Sequence, residues 1–191
     1  MSDTQAVGAG RRLISGSTLE RLMRPLSALA LVSALAATTA AAAEDACPLE
    51  HAVYGDGELG YSLAFRPGAS WEMGGMTQAV YELTLPDGRQ LWGDVAGNMG
   101  VSRDVGSLYD GCKRPGPEDL PLDDAQIEQC RVWHNNVYAL AHGEIASLPF
   151  ADEPAPESLV LADLGRALRY SVLDGPGDEP WDQFRLTGCN R

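Results

Sequence analysis

Apolar and polar positions alternate along several short stretches of the chain. In residues 59–66, Tyr61, Leu63 and Phe65 share one face of an extended segment, the period-two signature of a half-buried strand. Pro67-Gly68-Ala69-Ser70 stops it, and the glycines Gly74 and Gly75 mark residues 71–75 as loop. Residues 78–86 alternate again, with Tyr81, Leu83 and Leu85 inward. Pro86-Asp87-Gly88 is a turn, because proline presets the first turn dihedral, aspartate bonds to the nearby backbone and glycine accepts positive φ. Residues 89–95 return as the partner strand, placing Leu91 and Val95 on one face and Trp92 on the other.

Further on, a short strand is expected around 107–109. Proline and charge then make 113–121 a linker, and Asp123 with Gln126 predicts the capping box of a short helix, stapled by Leu122 and Ile127. Residues 137–145 read as a strand with Val137, Ala139, Ala141 and Ile145 inward, and a last strand is expected over 183–187.

The hairpin sequence Leu83-Thr84-Leu85-Pro86-Asp87-Gly88-Arg89-Gln90-Leu91 has a second copy. It reads Leu159-Val160-Leu161-Ala162-Asp163-Leu164-Gly165-Arg166-Ala167-Leu168, with Leu164 inserted. Val95 and Val172 continue the match, and each stands 17 residues before the cysteine of a Gly-Cys pair, Cys112 and Cys189. Val53-Tyr54 and Val137-Tyr138 lie soon after Cys47 and Cys130, and Gly100 matches Gly177. This pattern predicts two related units, 47–112 and 130–189, joined by the linker and helix of 113–129. The expected fold is mainly β, an antiparallel sandwich or small barrel with a pseudo-two-fold internal repeat, one short helix and two disulfides.

The N-terminus changes the picture of where this domain works. Arg11, Arg12, Arg21 and Arg24 precede an apolar run over 26–35, and Ala41-Ala42-Ala43 precede Glu44. Basic start, apolar core and small-residue exit are the parts of a secretory signal peptide. The expected signal is 1–43, with Met23 as an alternative start that gives a peptide of ordinary length. The apolar run is shorter than the ~20 residues a spanning helix needs, so no membrane span is expected. The exported domain is then 44–191, in the periplasm or secreted. Four cysteines in such a chain, Cys47, Cys112, Cys130 and Cys189, predict a disulfide framework. Whole-unit duplication favours Cys47–Cys112 with Cys130–Cys189, and the nested pairing Cys47–Cys189 with Cys112–Cys130 is its rival.

Charge narrows the partners. Of 27 acidic residues only Asp3 and Glu20 precede Glu44, against four of the 14 basic ones, leaving 25 acids and 10 bases. Such a surface opposes nucleic acid and anionic membranes and favours a basic protein as partner. No residue pattern for a cofactor or metal is present. His142 and Glu144 share a strand parity, but zinc needs three or four converging ligands, and His134 is separated from them by Asn135-Asn136. No mature G-x-S-x-G elbow exists. No catalytic residue is therefore assigned. Candidate binding residues are the loop and face tryptophans Trp71 and Trp92 and the two repeat arginines Arg89 and Arg166. The expected function is a non-enzymatic exported bacterial binding or interaction module. The alternatives are a periplasmic inhibitor of a basic enzyme such as lysozyme, or an envelope hydrolase.

Overall fold

The computed structural model describes residues 46–97, 102–173 and 177–190. The expected signal segment, with Arg11 and Arg12, and the matched Gly100 lie outside them. Among the described residues the strands are β1 (Ala52–Gly55), β2 (Ser62–Arg66), β3 (Thr77–Thr84), β4 (Gln90–Ala96), β5 (Asp104–Tyr109), β6 (Arg131–Ala141), β7 (Glu144–Ala146), β8 (Ser158–Leu161) and β9 (Gln183–Cys189). The helices are α1 (Asp124–Cys130) and α2 (Leu164–Ser171). Every pairing is antiparallel. Neighbours run β1-β2-β3-β4-β5-β6-β8-β9 and back to β1, so eight strands close a barrel, and β7 adds a short flap to β6.

Closure is decided by the alternating side chains. Tyr54, Leu63, Phe65, Tyr81, Leu83, Leu91, Leu108, Trp133, Leu159 and Phe184 all point inward and are buried. An eight-stranded barrel has an interior just wide enough for side chains to fill, and here aromatics fill it. Tyr54 meets Phe65 edge-on at 5.9 Å between ring centroids, and Phe65 meets Tyr81 at 5.7 Å. Two glycines make room for the largest rings. A Cβ on Gly93 would stand 2.4 Å from the Tyr81 ring, and one on Gly106 would stand 2.6 Å from Trp133. Inward hydroxyls find backbone acceptors: Tyr81 donates to Ser107 O at 2.9 Å and Tyr54 to Pro156 O at 3.1 Å.

The first hairpin forms as its sequence predicts. Gly88 takes φ 88°, and Asp87 accepts from the Arg89 amide at 2.9 Å. The capping box also forms, with Asp123 and Gln126 exchanging bonds of 2.8 and 3.0 Å.

Four expectations are corrected. The second copy of the hairpin sequence folds as a strand and a helix, β8 and α2, which makes two helices rather than one. Ala162 replaces the proline that fixes the turn, and the inserted Leu164 stands four residues before Leu168, so both enter the core from one helix face. Asp163 takes the left-handed conformation, φ 58°, and Asp182 caps the helix from β9's approach, accepting from Asp163 N at 2.8 Å and Gly165 N at 3.1 Å. The disulfides are the nested pair, Cys47–Cys189 and Cys112–Cys130, so neither unit closes on itself. The repeat therefore stays in the sequence pattern. Even Val53-Tyr54 and Val137-Tyr138 present opposite faces, since Tyr54 is buried inside while Val137 is the inward residue of its pair. Finally, β6 runs unbroken through Asn135-Asn136 and ends before a turn at His142-Gly143, which leaves Ile145 63 % exposed on β7.

Candidate ligand cleft on the outer face

The strands that fill the barrel with one set of side chains carry a different set outside. In register order Glu82, Trp92 and Tyr109 form one outward row across β3, β4 and β5, and Val80, Asp94 and Ser107 form the next, continued by His134 on β6. Parity alone puts them there, because Leu83, Leu91 and Leu108 are inside.

Two segments stand over this floor. One is the loop between β2 and β3, carrying Trp71 and Glu72. The other is the segment closed by Cys112–Cys130, whose Pro115, Pro117, Pro121, Leu122 and Ile127 face the strands. Between them lies a cleft of about 450 Å³ with Trp92, Asp94 and Tyr109 on its floor. Arg114 fastens the second segment down. Its guanidinium donates to Glu72 at 3.0 Å, to Gly93 O at 3.0 Å and to Tyr81 O at 3.3 Å, and lies 5.1 Å above the Trp92 ring. Glu72 also receives both guanidinium arms of Arg66 and the Ala69 amide. Burial would push the Glu72 carboxyl up, but the Arg66 and Ala69 bonds prevail and hold it below its ordinary value. Trp92 stacks on Tyr109 at 4.1 Å and donates its indole N–H to Cys112 O at 2.8 Å. The floor tryptophan is thus held on three sides, while Trp71 at the rim is 53 % exposed.

Asp94 is the unusual group. Its carboxyl is pushed up to about 6 by burial, which the bond from the Tyr109 hydroxyl only partly offsets. Tyr109 is itself raised, by burial first and then by Asp94. Ser107, two residues before Tyr109 on the same outward face of β5, has its Oγ 3.0 Å from His134 Nδ1. Asp94, Tyr109, Ser107 and His134 therefore form one polar row from the cleft to the exposed edge of β6. It has the residue types of a hydrolase but not the order. In a Ser-His-Asp triad the acid orients the histidine's far nitrogen; here the acid lies on the serine's side, and Ser107 is 5 % exposed. His134 is lowered by burial and then by Arg131.

The candidates named from sequence separate into three places. Trp71 and Trp92 line the cleft together. Arg89 stays at the hairpin turn, bonded to Asp87 at 2.7 Å and to Val172 O at 3.2 Å. Arg166 is exposed on α2, beside Trp181 and Tyr170. The two arginines are not equivalent, because one sits on a turn and the other on a helix. His142 is 95 % exposed at a turn, 3.5 Å from Glu157, so it enters no enclosed site with Glu144. Among the described residues no group of three or more His, Cys, Asp or Glu side chains converges for a metal, and no helix is long and apolar enough to cross a membrane.

Sequence reasoning missed Asp94, Tyr109, Glu72 and Arg114. The first two were within reach: Trp92-x-Asp94 and Ser107-x-Tyr109 have outward parity once Leu91 and Leu108 are inside. Glu72 and Arg114 meet across 42 positions, and no local pattern announces that. Compared with protein-family models, with curated proteins and with solved structures, the chain matches none of them.

Proposed function

We propose that the protein is an exported, non-enzymatic binding module that engages its partner through the outer-face cleft. The observation that carries this reading is the contrast between a barrel interior filled by Tyr54, Tyr81, Trp133 and Phe184 and a walled cleft outside. A filled interior leaves no room for a ligand of the kind wider barrels enclose. The cleft, by contrast, combines apolar walls with a few placed polar groups, which is the usual composition of a binding site. Its walls are fixed by a disulfide and by the Arg66–Glu72–Arg114 ion pairs, so little ordering entropy is lost on binding. Export is supported by the basic, apolar and small-residue sequence of 1–43 and by two disulfides, which persist in oxidising compartments.

A displayed library of random peptides panned against the 44–191 chain tests the reading. Enriched peptides should lose binding to the Trp71→Ala protein and keep it on an Arg166→Ala protein. Peptides indifferent to Trp71→Ala would move the binding face elsewhere. The acid excess favours one specific version, inhibition of a basic enzyme, because a field of this sign steers cationic partners. A basic lysozyme is the first such partner to assay, and unchanged lysozyme activity at saturating protein would remove that version.

A further inference from the structure

We infer that the cleft takes an arginine side chain of a basic protein partner, with its guanidinium against Asp94 and its plane against Trp71. This inference rests on the binding reading above and names the chemistry of the occupant.

The charges of the cleft select the ligand. The charged residues that line it are three acids, Glu72, Asp94 and Asp119, and one base, Arg114. Three of these four are already committed to one another or to neighbours. Glu72 holds Arg66 and Arg114. Asp119 accepts from Lys113 at 3.2 Å and from the Gly116 amide at 2.8 Å. Arg114 is spread over Glu72 and two strand carbonyls. Asp94 differs. Its carboxyl has the Tyr109 hydroxyl beside it, and among the described residues no ion pair to it forms. A desolvated carboxylate without a cation is costly, and a cation brought to it recovers that cost. This is the direction in which the group's raised affinity for a proton also points.

The walls select guanidinium over ammonium. An indole rim and three proline rings offer flat, weakly hydrated surfaces, on which a planar, delocalised cation stacks and a compact, strongly hydrated one does not. The chain's own Arg114 already uses this mode on Trp92, at 5.1 Å from the ring centre. A long aliphatic stem would lie along Leu122 and Ile127. The overall acid excess would bring such a partner in and keep polyanions out.

The test uses three small probes on the 44–191 chain: Nα-acetyl-arginine amide, its uncharged isostere Nα-acetyl-citrulline amide, and Nα-acetyl-lysine amide. Amide chemical shifts are followed in about 150 mM NaCl, which screens adventitious surface pairing. The arginine probe should bind with shifts centred on Trp92, Asp94 and Tyr109, about tenfold or more tighter than citrulline and measurably tighter than lysine. Asp94→Asn should abolish the preference of arginine over citrulline, and Trp71→Ala should weaken all binding in the cleft while leaving the spectrum otherwise native. Equal binding of arginine and citrulline, unaffected by Asp94→Asn, would overturn the cation and leave the cleft as a binding site. Lysine bound as tightly as arginine would overturn the guanidinium. Shifts confined to residues outside the cleft would overturn both this inference and the function it rests on.

Discussion

The inner and outer faces of β3, β4 and β5 are built from alternate residues of the same strands, yet they serve different ends. Inside, Tyr81, Leu83, Leu91, Val95 and Leu108 interlock with the rings of Phe65 and Trp133, and the few polar atoms donate to backbone carbonyls. Outside, Trp92, Asp94 and Tyr109 are covered only partly, by segments that the chain fastens with a disulfide and three charged side chains. The interior is filled with buried apolar side chains. The outer face leaves a volume and keeps a carboxylate in a place where ionisation is unfavourable. A protein that needed only stability would have no use for that arrangement.

Substitutions should separate the two faces. Phe184→Ala removes a fully buried ring from the barrel and is expected to cost about 3–5 kcal/mol, read as a drop in the unfolding midpoint. Any of that protein still folded should bind the arginine probe as before. Replacing Cys112 and Cys130 together with serine opens the 18-residue closure and should cost about 3 kcal/mol on the loop-entropy model. Unlike the core change, it should also remove probe binding, since the proline wall is no longer held down.

Asp94→Asn tests the outer face through pH. A carboxyl raised in the fold stabilises fully below its unfolded pKa, about 4, and that contribution is lost as pH rises through the folded value near 6. The asparagine variant should therefore match the parent at roughly pH 4 and exceed it by about 2–3 kcal/mol at roughly pH 8. A more stable protein that no longer distinguishes arginine from citrulline would mark Asp94 as a functional group kept at a cost in stability. The smallest effect is expected at the rim. Trp71→Ala should change stability by no more than about 0.5 kcal/mol, because the ring is half exposed, while weakening the cleft for every probe.

Much of the inner face was legible in the sequence, and little of the outer. Alternation at Tyr61-Leu63-Phe65 and Tyr81-Leu83-Leu85 requires a buried side, and the Pro86-Asp87-Gly88 turn fixes its register with local chemistry. The capping box at Asp123 is local too. Where similar residues folded differently, the deciding terms were one proline and one insertion. Ala162 for Pro86 and the added Leu164 turned a hairpin sequence into β8 and α2, with the cap supplied by Asp182 from 19 positions away. The duplication argument failed at the disulfides for the same reason. Matched spacing records sequence, whereas pairing records which ends the closed barrel brings together, here β1 and β9. The cleft was half legible: Trp71 and Trp92 were visible as aromatics off the core face, but their partners Glu72 and Arg114 meet only after the linker folds back.

The four tryptophans allow the central claim to be read in one spectrum, because each indole N–H reports a different place. Trp71 stands at the cleft rim, and Trp92 bonds to Cys112 O on the cleft floor. Trp133 bonds to Ala162 O from inside the barrel, and Trp181 lies beside α2. On titration with Nα-acetyl-arginine amide, the Trp71 and Trp92 signals should move together and saturate while those of Trp133 and Trp181 stay fixed. Movement of Trp133 or Trp181 with Trp71 and Trp92 unchanged would contradict the assignment of the binding face.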